Sequence, residues 1–314
     1  MNSFFEIIRG GINSTFQDEG RSNLYHIGIP FSGAMDKRNY RLANALMGNK
    51  INNPILEFAY QGPLLKFKGK QINFVITGDV VFKLIKKEKE IQGNCYESYL
   101  IEDGDMIDII STNKSVYGYL AISGEFNLKY QWGSCSINTK ANIGANGGKK
   151  LQDNQKIEII KINQIQIKKK INYINTKIEK IRVIKATNFH YFSDEGKKIF
   201  FEKEFIVSKL SDRMGMRLEG QKIENVVDTN IKSEGLIKGV IQIPADGNPI
   251  IMLSDHGTIG GYPKIGVVIS ADYDKLVQLS PGSKIKFQEI ELLDAETLFK
   301  LYEMETQNFI SQIK

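Results

Sequence analysis

The segment Glu102–Ile110, EDGDMIDII, places a turn signal directly before a strand in which apolar residues occupy every second position. Residues 151–160, LQDNQKIEII, and 280–290, SPGSKIKFQEI, repeat this design. A turn followed by period-two alternation is typical of strands that close sheets or barrels. Other β-type runs bounded by Gly, Asn, Asp or Pro lie at Phe4–Ile8, Ile72–Thr77, Tyr117–Ile122, Ile181–Ile184, Gly239–Ile243 and Pro249–Leu253. The sequence therefore predicts a mainly β protein with few helices.

The segment Gly28–Asn49, GIPFSGAMDKRNYRLANALMGN, predicts the first helix, capped by Asp36 and running through residue 47. Ser193 is suited to cap a second helix, DEGKKIF, and Ser270 precedes a third, ADYDKLVQL. Asp294 opens a terminal helix that we expect to pack against its own body. Its predicted apolar stripe consists of Leu298, Leu301, Tyr302, Phe309 and Ile313.

A length of 314 residues predicts about two domains. We place the break in the Lys-, Ile- and Asn-rich stretch 162–175. This gives one module over residues 1–165, which contains the SGAMD helix, and a second over 176–314, which ends in the terminal helix. SGAMD (32–36) and SDRMG (211–215) share a Ser-x-x-Met core, a faint sign of a duplicated module.

The formal charge of +6 raises the question of nucleic acid, but arginine is scarce among the 42 basic residues. The lysines mostly alternate with Ile, as in KINQIQIKKKI from Lys161, a pattern typical of the solvated face of a strand. No apolar run reaches the roughly 18–20 residues that a membrane span requires. The N-terminus has no basic leader, and Cys95 and Cys135 lack metal or redox spacing. We therefore predict a cytoplasmic protein that binds neither nucleic acid nor membrane.

Two clusters of polar residues lie on turns. In the first, Asp18, Arg21, Ser32 and Asp36 gather around two turns. These acids either help to form a site or serve as turn and cap residues, with Arg21 paired to one of them.

The second cluster is SDRMGMRLEG, 211–220, in which Asp212 and Arg213 precede a glycine turn. An arginine in this lysine-rich chain indicates a need for geometry, since its planar fork binds carboxylate or phosphate through two hydrogen bonds. A structural ion pair between Arg213 and a carboxylate explains the same residue equally well.

The third cluster, IPADGNPIIMLSDHGTIGGYPKIG (243–266), is the densest. Asp255 and His256 follow an apolar strand, and a glycine-rich turn leads from them to Lys264. Such a strand end can offer a base, an acid and backbone N–H groups together. His256 is therefore either catalytic or structural.

Several catalytic motifs are absent from the sequence. GANGGKK at Gly144 resembles a phosphate loop, but Ile143 and Lys150 stand where the P-loop requires Gly and Ser or Thr. The chain has no HExxH or GxSxG motif and no paired Cys/His ligands, so no metal is predicted. The residues alone indicate a polar, anion-binding site without naming a reaction.

Six segments resemble the successive signatures of the allophanate hydrolase subunit 2-like, biotin-dependent carboxyltransferase family. That family includes the C subunit of 5-oxoprolinase and the antagonist of a sporulation-kinase inhibitor. The resemblance runs from about Gly10 to Phe287. The segments are GGINSTFQDEGR, GIPFSGAMDKRNYRLANALMGN, ILEFAYQGPLLKF, YLAISG, SDRMGMRLEG and IIMLSDHGTIGGYPKIGVVISAD.

The resemblance implies two cyclophilin-like β-barrel modules. It also implies one component of an ATP-dependent 5-oxoprolinase, which opens 5-oxoproline to glutamate together with its A subunit and its kinase-inhibitor-like B subunit. ATP could then bind to another component of that complex. One alternative is the carboxyltransferase component of a biotin-dependent urea carboxylase or allophanate hydrolase system, with biotin supplied from elsewhere. A second alternative is a regulatory protein that binds a kinase-inhibitor partner.

The resemblance also assigns roles to residues of the three clusters. It implies that Asp255 or His256 handles protons and that Arg213 and Lys264 supply positive charge as catalytic residues. The substrate, a small amide, would contact Ser32, Asp36, Asp212, Gly260, Gly261 and Tyr262. One departure from the family is GSCSI, where Cys135 replaces a typical Arg.

Overall fold

The computed structural model describes residues 3–87, 89–163, 168–173, 178 and 180–313. Parts of the predicted break at 162–175 and of KINQIQIKKKI therefore lie outside the described residues. The chain forms two compact units. The first comprises Met1–Arg21, Asp36–Asn175 and Thr306–Lys314, and the second comprises Ser22–Met35 and Thr176–Glu305. The domain bounds 1–165 and 176–314 stay a prediction.

The first unit contains two mainly antiparallel sheets among its described residues. Its strands are β1 (Ser3–Arg9), β2 (Asn13–Gln17), β3 (Ile55–Ala59), β4 (Leu64–Lys68), β5 (Ile72–Thr77), β6 (Val80–Lys86), β7 (Lys89–Gln92), β8 (Ser98–Ile101), β9 (Met106–Thr112), β10 (Tyr117–Ile122), β11 (Glu125–Phe126) and β12 (Lys156–Ile160). One sheet has the order β11-β12-β1-β4-β9-β6-β7, and the other has the order β2-β3-β10-β5-β8. Every residue of β5 and β10 is buried, so these strands lie within the core.

The second unit contains a closed barrel among its described residues. Its strands are β13 (Lys180–Lys185), β14 (Phe205–Val207), β15 (Gly215–Glu219), β16 (Glu234–Gly235), β17 (Val240–Gln242), β18 (Ile250–Met252), β19 (Ile259–Gly260), β20 (Lys264–Val268) and β21 (Lys284–Glu289). The barrel has the order β13-β20-β17-β18-β15-β14-β21, and β21 closes it by parallel pairing with β13. Strands β16 and β19 pair separately. The predicted mainly β fold is confirmed, and each of the nine predicted strands is present.

The helices are α1 (Lys37–Leu46), α2 (Asp194–Glu202), α3 (Ser270–Leu276) and α4 (Leu292–Ser311), with short 3-10 helices at Tyr25–Ile27, Asn146–Gly148 and Phe189–Tyr191. The two predicted caps are confirmed, because Asp36 accepts from the N–H of Asn39 and Ser193 from that of Gly196. Helix α3 begins at Ser270 itself, and α4 begins two residues before Asp294. The stripe prediction was wrong for Leu301, which is 54% exposed, whereas Leu298 and Tyr302 pack against a buried cluster.

Within the described ranges, no helix combines the length and apolar character that crossing a membrane would require.

Candidate functional site

The end of strand β18 and the turn before β15 form the centre of the candidate site, in the second unit. Asp255 donates its N–H to the Arg213 carbonyl at 2.9 Å, which extends the β15–β18 pairing beyond both strands. The side chains then meet as a fork, because Arg213 donates from Nε and Nη2 to the two Asp255 carboxylate oxygens at 2.8 and 3.2 Å. Both side chains are buried, with 7% and 3% exposed. This is the structural ion pair that the sequence left open as one explanation of Arg213.

The segment Ser22–Met35 contributes two further groups to this site. Arg213 also donates from Nη2 to the Gly33 carbonyl oxygen at 2.7 Å. Ser32 and Gly33 have φ values of 57° and 87°, so the turn adopts two successive left-handed residues that direct this carbonyl. The special backbone residues of SGAMD thus position an acceptor for Arg213.

His256 lies buried beside the ion pair, with 1% of its surface exposed. Its Nδ1 is 2.5 Å from the Gly257 carbonyl oxygen, and its Nε2 is 3.2 Å from the Tyr25 hydroxyl. A carbonyl oxygen can only accept, so Nδ1 carries the proton and Nε2 accepts from Tyr25. Burial lowers the pKa of His256, and the positive charge of Lys238 adds to this effect. His256 is therefore a neutral imidazole whose basic nitrogen is Nε2.

Lys264 forms a second ion pair in the same unit. Its Nζ donates to Oε2 of Glu234, and its backbone N–H donates to Oδ1 of Asn188 at 3.2 Å. The Lys264 side chain is 6% exposed, whereas that of Glu234 is 42% exposed. The hydrogen bond from Lys264 lowers the pKa of Glu234, so this carboxyl is ionised at neutral pH.

The predicted substrate-binding glycines lie next to Glu234. Gly260 pairs with Glu234 in the β16–β19 ladder, and the Gly261 carbonyl accepts from the Ile231 N–H at 2.9 Å. A Cβ on Gly260 would lie 2.7 Å from Nε2 of Gln242, so no larger residue fits there without displacement. Tyr262 is 38% exposed, and its carbonyl accepts from the same Gln242. These residues therefore share one small region with Lys264.

Two predicted substrate-binding acids serve the backbone. Asp212 is exposed and accepts from the N–H groups of Met214 and Gly215 at 2.9 and 3.3 Å, as in a side-chain-capped turn. Asp36, in the first unit, accepts from both the N–H and Nδ2 of Asn39, at 2.9 and 2.6 Å. These contacts are those of turn and cap residues, the alternative that the sequence left open for Asp36.

The Asp36 N–H belongs to a buried polar network in the first unit. It donates to the Tyr119 hydroxyl at 2.7 Å, and that hydroxyl donates to Oε2 of Glu57 at 2.8 Å. Burial, together with the charges of Glu57 and Asp36, raises the pKa of Tyr119 well above its usual value. The hydroxyl therefore stays protonated, and it already accepts from the Asp36 N–H at the start of helix α1.

The first sequence cluster forms another buried network in the first unit. Asp18 accepts from the hydroxyls of Ser134 and Ser136 at 2.6 and 2.5 Å, and from the N–H groups of Gly20 and Cys135. Arg21 donates to the Ser136 carbonyl at 2.5 Å. Asp18 is thus a turn residue, and Cys135 contributes its backbone N–H to this turn.

Sequence reasoning missed Tyr25, Gly33 and Glu234. Tyr25 and Gly33 are 231 and 180 residues from their partners His256 and Arg213, so no local spacing pattern could reveal either contact. Glu234 lies in a polar stretch whose short strand β16 has no alternation. Among the described residues, no group of three or more His, Cys, Asp or Glu side chains is arranged to hold a metal ion.

The sequence of this chain is similar to a known domain family and to two proteins of similar length. Residues 27–289 match the profile of the carboxyltransferase domain, subdomains A and B. The chain is 32% identical to the 5-oxoprolinase C subunit of Haemophilus influenzae, over 96% of this chain and 94% of that protein. It is 31% identical to the protein of the same name from Escherichia coli, over 92% of each.

Longer proteins also contain a similar region. The Saccharomyces cerevisiae urea amidolyase is 27% identical over 93% of this chain, which corresponds to 17% of the yeast protein. The crystal structure of the Kluyveromyces lactis urea amidolyase superimposes with a TM-score of 0.88 and 26% identity. That superposition covers 98% of this chain and 20% of the yeast one, so this chain spans about a fifth of that protein.

Proposed function

The chain belongs to the carboxyltransferase domain family, and we propose that it is the C subunit of an ATP-dependent 5-oxoprolinase complex. In this role it helps to activate 5-oxoproline and hydrolyse it to glutamate, together with the A and B subunits. One observation carries the choice of reaction. Two relatives that bear the name of the 5-oxoprolinase C subunit match this chain over 94% and 92% of their own length. A cytoplasmic location is part of the proposal.

His256 is the residue we propose to move a proton. Its Nε2 is neutral and basic, and the hydrogen bond from Tyr25 fixes the orientation of the ring. Arg213 and Asp255 bind one another, so we assign them to positioning the strand end that carries His256. This positioning role differs from the direct substrate contact that the sequence suggested for Arg213.

Lys264 is the residue we propose to bind the carboxylate of 5-oxoproline. Glu234, the present partner of Lys264, is a half-exposed carboxylate on a short strand, so a substrate carboxylate can take its place. Gly260, Gly261 and Tyr262 lie next to Glu234 and would contact the lactam ring of the bound substrate. Ser32 keeps a role through the turn that directs the Gly33 carbonyl.

ATP supplies the free energy that opening a resonance-stabilised lactam requires. A triphosphate needs several converging donors, and the two site cations of this chain each hold a carboxylate. The described residues of this site therefore do not fit ATP, and we place ATP binding on another component of the complex. The A subunit and the kinase-inhibitor-like B subunit are the partners that this proposal requires.

A second candidate is the carboxyltransferase component of a urea carboxylase system. The TM-score of 0.88 to the urea amidolyase structure, over 98% of this chain, favours it. Biotin carried by another protein would then bring the carboxyl group.

The test is ADP release by the native complex, purified through a tag on this chain, with 5-oxoproline or urea and with or without avidin. The proposal expects release stimulated by 5-oxoproline and unchanged by avidin. Stimulation by urea that avidin abolishes would establish the second candidate instead. If neither substrate stimulates ADP release although a partner co-purifies in stoichiometric amount, the chain is a regulatory binding protein.

Site variants in the same assay test the assigned roles. His256→Gln should reduce kcat by about 100-fold or more, since a general base contributes about 10²–10⁴. Glu234→Gln should lower KM for 5-oxoproline, because it removes the carboxylate that competes for Lys264. An unchanged kcat in the first variant, or an unchanged KM in the second, would contradict the corresponding role.

A further inference from the structure

A cavity in the first unit has a lining suited to anions. Its volume is about 380 Å³, and it is lined by Ile12, Asn13, Thr139, Asn142, Lys149 and Lys150, with Gly148 and Gln152 beside them. Two of these side chains are cationic, and none is a carboxylate. This is the GANGGKK segment that failed the P-loop spacing, now brought next to the start of strand β2.

Contacts within the segment hold the two lysines at the cavity. Lys150 donates from Nζ to the Ile12 carbonyl at 2.9 Å. Asn146 donates from Nδ2 to the carbonyls of Lys149 and Lys150 at 2.9 and 3.2 Å. Asp153, the acid nearest in sequence, accepts from the Gly10 N–H at 2.8 Å. The lysines therefore meet no carboxylate in the cavity lining.

The backbone of this segment also forms a close-fitting wall. Asn146, Gly147 and Gly148 all have left-handed φ values, of 53°, 61° and 72°. A Cβ on Gly148 would lie 2.2 Å from the carbonyl carbon of Asn142, so only glycine permits this approach. The backbone of residues 146–148 is therefore restricted to this left-handed conformation.

A second cavity of the same volume in the other unit provides a contrast. It also contains two lysines, Lys180 and Lys286, but Glu289 lies in its lining. Of these two cavities, only the Lys149–Lys150 cavity has a lining without a carboxylate.

We propose that the Lys149–Lys150 cavity binds a small organic phosphate. The two ammonium groups would bind the phosphoryl oxygens as point charges, and the hydroxyl and amides of Thr139, Asn13 and Asn142 would hydrogen-bond to them. Its volume lies within the roughly 300–1,000 Å³ of small-molecule sites, so there is room for an organic group beside the phosphate. Ile12, which is 55% exposed, offers that group an apolar surface.

The test is calorimetric titration of the purified chain with ribose 5-phosphate, inorganic phosphate and ribose. We expect ribose 5-phosphate to bind more tightly than inorganic phosphate, and ribose not to bind. Lys149→Gln with Lys150→Gln should weaken binding of the ester by about tenfold or more, equivalent to about 1.4 kcal/mol. Both lysines are exposed, and glutamine, although one atom shorter, keeps a polar N–H donor, so the fold should persist.

A matched control removes two lysines from elsewhere on the same unit. Lys50 and Lys70 are exposed and outside the cavity lining, so Lys50→Gln with Lys70→Gln should leave the affinity within about twofold. The proposal is overturned if the ester does not bind, if ribose or inorganic phosphate binds equally well, or if both double variants weaken binding alike. Because the titration involves no turnover, its outcome is independent of the proposed function.

Discussion

Replacing Asp255 by Asn tests whether the Arg213–Asp255 pair holds the site together. The substitution keeps the shape of the side chain but leaves the Arg213 guanidinium charge buried, in a place where only 7% of the arginine side chain is exposed. Removing one partner of a buried ion pair costs about 3–5 kcal/mol, since the remaining charge has lost both water and counter-ion. At about 2–4 °C per kcal/mol, Tm should fall by about 6–20 °C.

The assay is scanning calorimetry together with urea unfolding followed by far-UV circular dichroism. Fluorescence of Trp132 is not the right probe, because this single tryptophan belongs to the first unit and the ion pair to the second. Asp194→Asn is the matched control, since Asp194 forms an exposed pair with Lys197. It should change the free energy of unfolding by no more than about 0.5 kcal/mol.

A double-mutant cycle completes the test. Arg213→Met alone buries an unpaired carboxylate, whereas the double variant with Asp255→Asn leaves neither charge. The double variant should therefore cost less than the sum of the single variants, by about 0.5–3 kcal/mol. A loss below about 1 kcal/mol for Asp255→Asn, or strict additivity, would refute the argument. Alanine at Arg213 should also abolish turnover of the complex, through loss of this pair.

Three further predictions follow from burial and backbone geometry. Burial lowers the pKa of His256 below 6.5, so the stability that its neutral form supplies is present above pH 6.5 and is lost as the pH falls through the folded-state value. Urea midpoints at pH 7.5 and 5.5 should therefore differ more for the native chain than for His256→Gln, and equal differences would contradict this. Burial raises the pKa of Cys95 to about 11 and that of Cys135 to about 12, so neither thiol should react with a disulfide reagent at pH 8 until urea unfolds the chain. Gly148→Ala should destabilise the chain more than Gly147→Ala, because both have left-handed φ values but only the Gly148 Cβ would meet neighbouring atoms within 4 Å. Equal unfolding free energies for the two variants would argue against the tight wall.

The parts of the fold that depend on neighbours in sequence were predictable. Asp36 and Ser193 cap their helices through an N–H three residues away, so residue type and spacing are sufficient. The alternation in KIKFQE gives β21 its buried face, and the strand was predicted from it. Its parallel pairing with β13, which closes the barrel, joins residues about a hundred positions apart and has no local signature.

The sequence identified residues of the candidate site but not how they pair. Asp255 and Arg213 were identified in separate clusters, yet their fork arises only when β15 and β18 align. The same alignment changes the role that we assign to Arg213. Because Arg213 is paired with Asp255, it positions the strand end that carries His256 instead of contacting the substrate. Glu234 was missed because a half-exposed glutamate in a polar stretch has no distinguishing sequence feature until Lys264 lies beside it.

The segment that carries Tyr25 has a consequence for how the protein is made. Tyr25 leaves the ribosome 231 residues before His256, which at about 5–20 residues per second is a delay of about 10–50 seconds. Arg213 follows its partner Gly33 by 180 residues, and His256 follows Tyr25 by 231, so the segment is made well before either partner. The N-terminal half is therefore synthesised with a stretch whose contacts to Arg213 and His256 form later. Translation speed between these two points therefore sets how long the segment waits for its partners.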